Sequence, residues 1–182
     1  MSRKTILAAA LAALLAAPLA AQADLNVTSP DVAEGQQMPR AQEFNGFGCS
    51  GGNIAPAISW SGAPAGTRSF AVTVYDPDAP TGSGWWHWIV YDIPAGTTSL
   101  ARGTVAATLP VGAQQGHNDY GTLDFGGACP PKGDKPHRYV FTVWALKVDK
   151  LGVPATASAA LIGYSVRANT LASGALTARY GR

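Results

Sequence analysis

The chain has 182 residues, and removing the 23 that read as a secretory leader leaves 159, enough for one domain with its own core and too few for two full ones. Hydrophobic residues make up 47 % of it and charged residues 13 %, about half the usual charged share of roughly 25 %, which excludes intrinsic disorder. The formal charge of +2 comes from Arg3 and Lys4 in the leader; the rest carries 11 Lys and Arg against 11 Asp and Glu, so it has no electrostatic footprint for nucleic acid or for an anionic membrane surface.

At the N-terminus Arg3 and Lys4 precede an apolar run from Ile6 to Ala21, and Ala21-Gln22-Ala23 supplies small residues at a cleavage point. This order predicts a signal peptide over 1–23, cleavage after Ala23 and a periplasmic or secreted bacterial product, with 24–182 as a single domain. An uncleaved anchor is disfavoured, because the 16-residue run is interrupted by Pro18 and falls short of the roughly 20 apolar residues that span a bilayer. No Cys follows the run, so lipid attachment there is not expected.

Export would bring Cys49 and Cys129 into an oxidising compartment, where a disulfide is the default expectation. It would close a loop of about 80 residues, an effect of roughly 4 to 5 kcal/mol in the chain-entropy model. Two buried free thiols are the alternative, since sequence does not fix the distance between the Cα atoms.

With 21 Gly and 13 Pro, the chain is expected to be sheet-rich and loop-rich. Residues Arg68 to Tyr75 alternate β-branched and aromatic side chains and stop at Asp76-Pro77, which predicts a central strand. Trp86 to Ile93 and His137 to Lys147 read the same way, each apolar on both faces as in strands covered from two sides. Gly, Pro, Asn and Asp clusters between them predict long structured loops at 45–53, 77–84, 94–98 and 126–136. The Gly46 to Gly51 stretch matches a dinucleotide-binding pattern in its letters, but lacks the preceding strand and following helix that the pattern needs. From Ala155 to Ala175 an Ala- and Leu-rich stretch predicts one or two short helices before a final extension from Leu176 to Tyr180.

Polar residues gather where the predicted strands begin and end. Asp76 and Asp78 lie in a turn stiffened by Pro77 and Pro80, and His87 stands near the start of the second strand, where alternation places it with Ile89 and Tyr91. His137 and Tyr139, two residues apart, share a face just after Cys129-Pro130-Pro131. Two imidazoles, a carboxylate, a phenol and Gly-rich backbone would together suit a small anion, the carboxylate fixing a histidine tautomer. Pattern alone equally allows two histidines that are separately satisfied strand residues.

The segments Asp76 to Pro80 (DPDAP), Gly84 to Pro94 (GWWHWIVYDIP) and Cys129 to Tyr139 (CPPKGDKPHRY) resemble the phosphatidylethanolamine-binding protein family, also called Raf kinase inhibitor proteins. The bacterial YbhB/YbcL branch is the nearest likeness, adding Phe47-Gly48-Cys49 through Pro56 and the step Ser59-Trp60-Ser61. The resemblance implies a mainly β fold, an antiparallel β-sandwich with short C-terminal helices, and a small pocket for phosphate, acetate or a phosphorylated head group. It implies Asp76, His87 and His137 as pocket residues, Tyr139 on the wall, and Pro80, Gly127, Cys129, Pro130 and Pro131 around the rim. Asp78 and Trp86 belong to the motifs, Asp78 holding the loop rather than touching ligand. Eukaryotic members carry a longer insertion that adds a pocket tyrosine; here only Thr81-Gly82-Ser83-Gly84 stands in its place. A large lipid head group would therefore be less enclosed.

These readings lead to an exported binding protein, not an enzyme, with no cofactor and no metal. Its partner would be a small anionic ligand or a phosphorylated or carboxylate group, with a protein partner and a homodimer left open. Two alternatives stand beside it. One is a hydrolase using Asp76 with His87 or His137 as acid and base or as a metal site. The other is a kinase- or protease-inhibitor-like regulator that binds through its Trp-rich surface.

Overall fold

A computed structural model describes residues 24–182. The signal peptide expected over 1–23 lies outside the described residues. In chain order the elements are β1 (Asn26–Thr28), β2 (Asn45–Gly46), β3 (Cys49–Ser50), β4 (Ile58–Ser61), β5 (Ser69–Asp76), β6 (Trp85–Pro94), β7 (Ser99–Leu100), β8 (Gln114–Gln115), β9 (His137–Leu146), α1 (Ala159–Ala168) and β10 (Thr170–Tyr180). The three strands expected from β-branched and aromatic runs are β5, β6 and β9, each within a residue or so of its expected ends. Among the described residues no helix is long and apolar enough to cross a membrane.

All strand pairs within the sheets are antiparallel. Five strands form one sheet in the order β10-β9-β5-β6-β8, three form a second in the order β1-β4-β7, and β2 and β3 make a separate hairpin. The long sheet is apolar on both faces because both are covered. Its inner face, with Phe70, Val72, Val74, Trp88, Phe141 and Val143, packs on Ile58, Trp60 and Leu100 of the small sheet to form the sandwich core. Its outer face, with Ala71, Ile89, Tyr91 and Leu146, packs under Ile162 and Val166 of α1. Ser158 caps α1, its side-chain oxygen accepting from the Leu161 N–H at 3.2 Å.

Two expectations are corrected. The C-terminal region holds one helix, within the one or two expected, but the extension after it is an 11-residue strand that starts at Thr170, not Leu176. Its small residues read as helix-forming, but β10 pairs with β9 from Thr170 opposite Leu146 to Tyr180 opposite His137. The pairing overrides local propensity. Gly174 is needed there: a Cβ would fall 1.9 Å from the Leu25 carbonyl oxygen of the crossing N-terminal segment.

The second correction concerns His87. In the β5–β6 ladder Val74 lies opposite Trp88 and Tyr75 opposite Trp86, so His87 is an extra residue with no partner of its own. Such a bulge interrupts alternation. His87 does not share the outer face with Ile89 and Tyr91; its ring lies edge-on to that of Tyr139, 5.0 Å between centroids, on the inner side where Tyr139 is buried.

Candidate functional site

At the end of the long sheet where β5 stops and β6 and β9 start, a pocket of about 170 Å³ opens to solvent. Asp76, the last residue of β5, is fixed by a local turn: its Oδ1 accepts from the backbone N–H of Asp78 at 2.8 Å and of Ala79 at 3.1 Å. Its Oδ2 accepts from His137 Nδ1 at 2.8 Å. Since the carboxylate can only accept, Nδ1 carries the proton. His137 Nε2 faces a second carboxylate, that of Asp134, 3.6 Å away.

His87 is held through the backbone of the Gly126-Gly127 loop. Its Nδ1 donates to the Gly126 carbonyl at 2.7 Å, and the Gly126 N–H returns a bond to the His87 carbonyl at 2.9 Å. The tautomer is set, and Nε2 is the free nitrogen. Burial pushes the His87 pKa down to about 4, against smaller opposing effects of the Gly126 bond and the Asp76 charge, so the ring is neutral near pH 7. Desolvation also pushes the Tyr139 and Tyr120 phenols up, helped by the nearby Asp76 charge, and both stay protonated.

The two glycines allow close approach. A Cβ at Gly126 would sit 2.3 Å from the Tyr120 ring, and one at Gly127 would sit 2.4 Å from the Gln42 carbonyl oxygen. Asn118 supports the same loop, its Nδ2 donating to the Asp124 carbonyl at 2.7 Å while its Oδ1 accepts from Thr122 N–H at 3.0 Å. That turn carries Tyr120 into the pocket, where its hydroxyl donates to the Gly127 carbonyl at 3.0 Å.

Of the residues expected at the site, Asp76, His87, His137, Tyr139, Pro80, Cys129, Pro130 and Pro131 all line the pocket. Cys129 is joined to Cys49 in a disulfide, with 6.0 Å between Cα atoms. Gly127 does not line it and acts through packing and its bond to Tyr120. Asp78 also stays outside, gripped by Arg138 through the guanidinium at 2.7 and 2.9 Å and the backbone N–H at 2.8 Å. Those bonds hold its carboxyl at about 2, the guanidinium contributing most. These bonds tie the turn to the start of β9. Trp86 faces away, in an outer groove with Tyr75 and Trp144.

Five lining residues were not anticipated: Phe47, Ala79, Thr81, Trp85 and Tyr120. Trp85, the neighbour of the motif residue Trp86, is the tryptophan that lines the pocket. Although the turn at Thr81 to Gly84 is short, Tyr120 from another loop supplies an aromatic wall, stacked on Phe44 at 4.0 Å. The one sequence signal for it is an aromatic set in the turn-forming run Asn118-Asp119-Tyr120-Gly121.

A β-sandwich whose long sheet carries, at one end, an Asp–His pair and a second buried histidine under a disulfide-tied rim defines the class of this fold and site. The family model described as phosphatidylethanolamine-binding protein matches residues 28–181, and the chain belongs to that family. Among its relatives, the UPF0098 protein YbcL of Escherichia coli is 55 % identical over 161 residues, covering 87 % of this chain and 88 % of that one. The UPF0098 protein YbhB of the same organism is 45 % identical over 158 residues, covering 86 % and 99 %. The crystal structure of E. coli YbcL superposes with a TM-score of 0.85 at 54 % identity, over 88 % of this chain and 99 % of that one.

Proposed function

We propose that this is an exported binding protein whose pocket recognises a phosphate or carboxylate oxyanion, on a small molecule or on a partner protein, without transforming it. The observation that carries this reading is a set of three buried polar atoms on lining residues, His87 Nε2, the Tyr139 hydroxyl and Trp85 Nε1, none in a hydrogen bond of normal geometry among the described residues, the hydroxyl lying beside the Asp76 carboxylate. An unpaired buried polar atom costs about 1–3 kcal/mol, which a bound oxygen relieves. Tyr139 and Trp85 donate to such an oxygen, and His87 Nε2 either accepts from a protonated oxygen or takes up a proton. Asp76 is poorly placed as a general base for a hydrolase, because Oδ1 already accepts two backbone N–H groups and Oδ2 accepts from His137.

An anion beside His87 raises its pKa above the value of about 4 in the free protein, so binding and proton uptake are linked. Affinity is expected to fall by up to about tenfold per pH unit as pH rises from about 4 to the bound-state value, and then to level off. Calorimetric titration with acetate and with inorganic phosphate between about pH 5 and pH 8 checks this, with His87→Asn as the control that flattens the profile. Affinity without pH dependence, or a profile unchanged in His87→Asn, would remove the imidazole from the site. Turnover of a phosphoester or ester lost in His87→Asn would favour the hydrolase instead.

Export is supported by the charged, apolar and small-residue order of 1–23 and by the Cys49–Cys129 disulfide, a bond of oxidising compartments. Mass spectrometry of the periplasmic fraction is expected to show Asp24 as the first residue. A chain that retains Met1 in the membrane pellet would contradict it.

A further inference from the structure

We infer that Phe47 determines the specificity of the pocket, selecting an oxyanion carried on an aromatic or other flat apolar group over a free inorganic ion. This rests on the oxyanion reading above and adds what the anion is attached to.

Phe47 lines the pocket, yet the residue is 71 % exposed, a large apolar surface left facing water at the mouth. Its backbone is left-handed at φ 50°, a conformation costly for a bulky residue and kept only where the surroundings over-determine it. The surroundings do so. On one side Gly46 pairs across the hairpin with Cys49, whose disulfide reaches Cys129 on the opposite rim. On the other, Arg182 Nη1 donates to the Gly48 carbonyl at 2.9 Å while its Nε donates to the Pro130 carbonyl at 2.6 Å. The disulfide and the guanidinium thus tie the same two segments, the hairpin tip and the Pro-Pro loop. They hold the ring 5.5 Å from Tyr120 and 5.7 Å from Phe44.

The rest of the mouth has the same character. Pro80, Pro130 and Pro131 line it with ring surface and no N–H donor, whereas the unpaired polar atoms belong to the buried residues His87, Tyr139 and half-buried Trp85. A ligand that satisfies both has a charged oxygen end inside and a flat apolar body between Phe47 and the prolines. Arg182 is a positioning residue here: it touches Gly48 and Pro130 and sets where Phe47 stands.

Calorimetric titration of the mature chain near pH 6 with inorganic phosphate and phenyl phosphate, and with acetate and phenylacetate, tests the inference. The aryl member of each pair is expected to bind about tenfold tighter, the range of one aromatic pairing. Phe47→Ala, at an exposed side chain, is expected to erase that advantage, bringing the aryl member of each pair to the affinity of its partner. Arg182→Gln is expected to reduce it in the same selective way, whereas a general loosening of the fold would weaken both members equally. An equal affinity within each pair, or an aryl advantage that survives Phe47→Ala, would overturn the role of Phe47 and leave the oxyanion site standing. If neither member of either pair binds, the oxyanion reading falls and the inference with it.

Discussion

Lowering the pH from about 6.5 to about 4 is expected to remove about 3 kcal/mol of folding stability through His87 alone. The ring is fully buried, and its pKa falls from an ordinary 6.5 to about 4 because burial disfavours the imidazolium. In the unfolded chain the same ring charges near its ordinary value. Below about 6.5 the unfolded state therefore binds the proton that the folded state refuses, and folding weakens by up to about 1.4 kcal/mol per pH unit. Above that value His87 contributes no slope, and below about 4 both states are charged and the loss is complete. Urea unfolding at a series of pH values, for the parent and for His87→Asn, isolates this effect from the carboxylates. Asn can still donate to the Gly126 carbonyl but does not titrate. The two proteins are expected to run parallel above about pH 7 and to diverge below it; identical slopes throughout would mean that the folded ring titrates as an ordinary histidine.

Replacing His137 by alanine is expected to destabilise the protein by about 3 kcal/mol. The Asp76–His137 pair is enclosed, with the side chains 4 % and 6 % exposed, and His137 Nδ1 donates to Asp76 Oδ2 at 2.8 Å. Alanine leaves that oxygen buried and unpaired. His137→Asn, whose amide nitrogen can stand near the position of Nδ1, is expected to recover a large part of the loss. Asp76→Ala combined with His137→Ala should cost less than the two singles summed, because the second change removes the group the first had stranded. Chemical denaturation of the parent and these four variants measures this. A loss below about 0.5 kcal/mol for His137→Ala would show that the carboxylate finds water or another donor.

The sheet was largely legible in the sequence because its strands are long, β-rich and punctuated by Pro and Gly. The boundaries of β5, β6 and β9 follow from residues 68–94 and 137–147 almost directly. Thr170 to Ala175 was not, since its Ala, Gly and Ser content carries no strand signal and only the partnership with β9 makes it one. The pocket was half legible. Asp76, His137 and Tyr139 follow from strand ends and alternation, and the pairing of the two cysteines is the default expectation for an exported chain. His87 was named for the site but assigned the wrong face, because alternation does not foresee an extra residue in the ladder. Phe47 and Tyr120 were missed for another reason: both come from loops without period, brought in by contacts some seventy or more residues apart in sequence, such as Asn53 with Gly127 and Cys49 with Cys129.

The bulge at His87 separates the site from its scaffold. Trp86 and Trp88 face Tyr75 and Val74, which are neighbours on β5, so the ladder would close without a gap if the residue between the two tryptophans were absent. Within this pairing the imidazole occupies no rung; it is supernumerary to the sheet. A lineage can therefore acquire or discard such a group by inserting or deleting a single codon, without exchanging any core side chain and without moving the opposing strand by a residue.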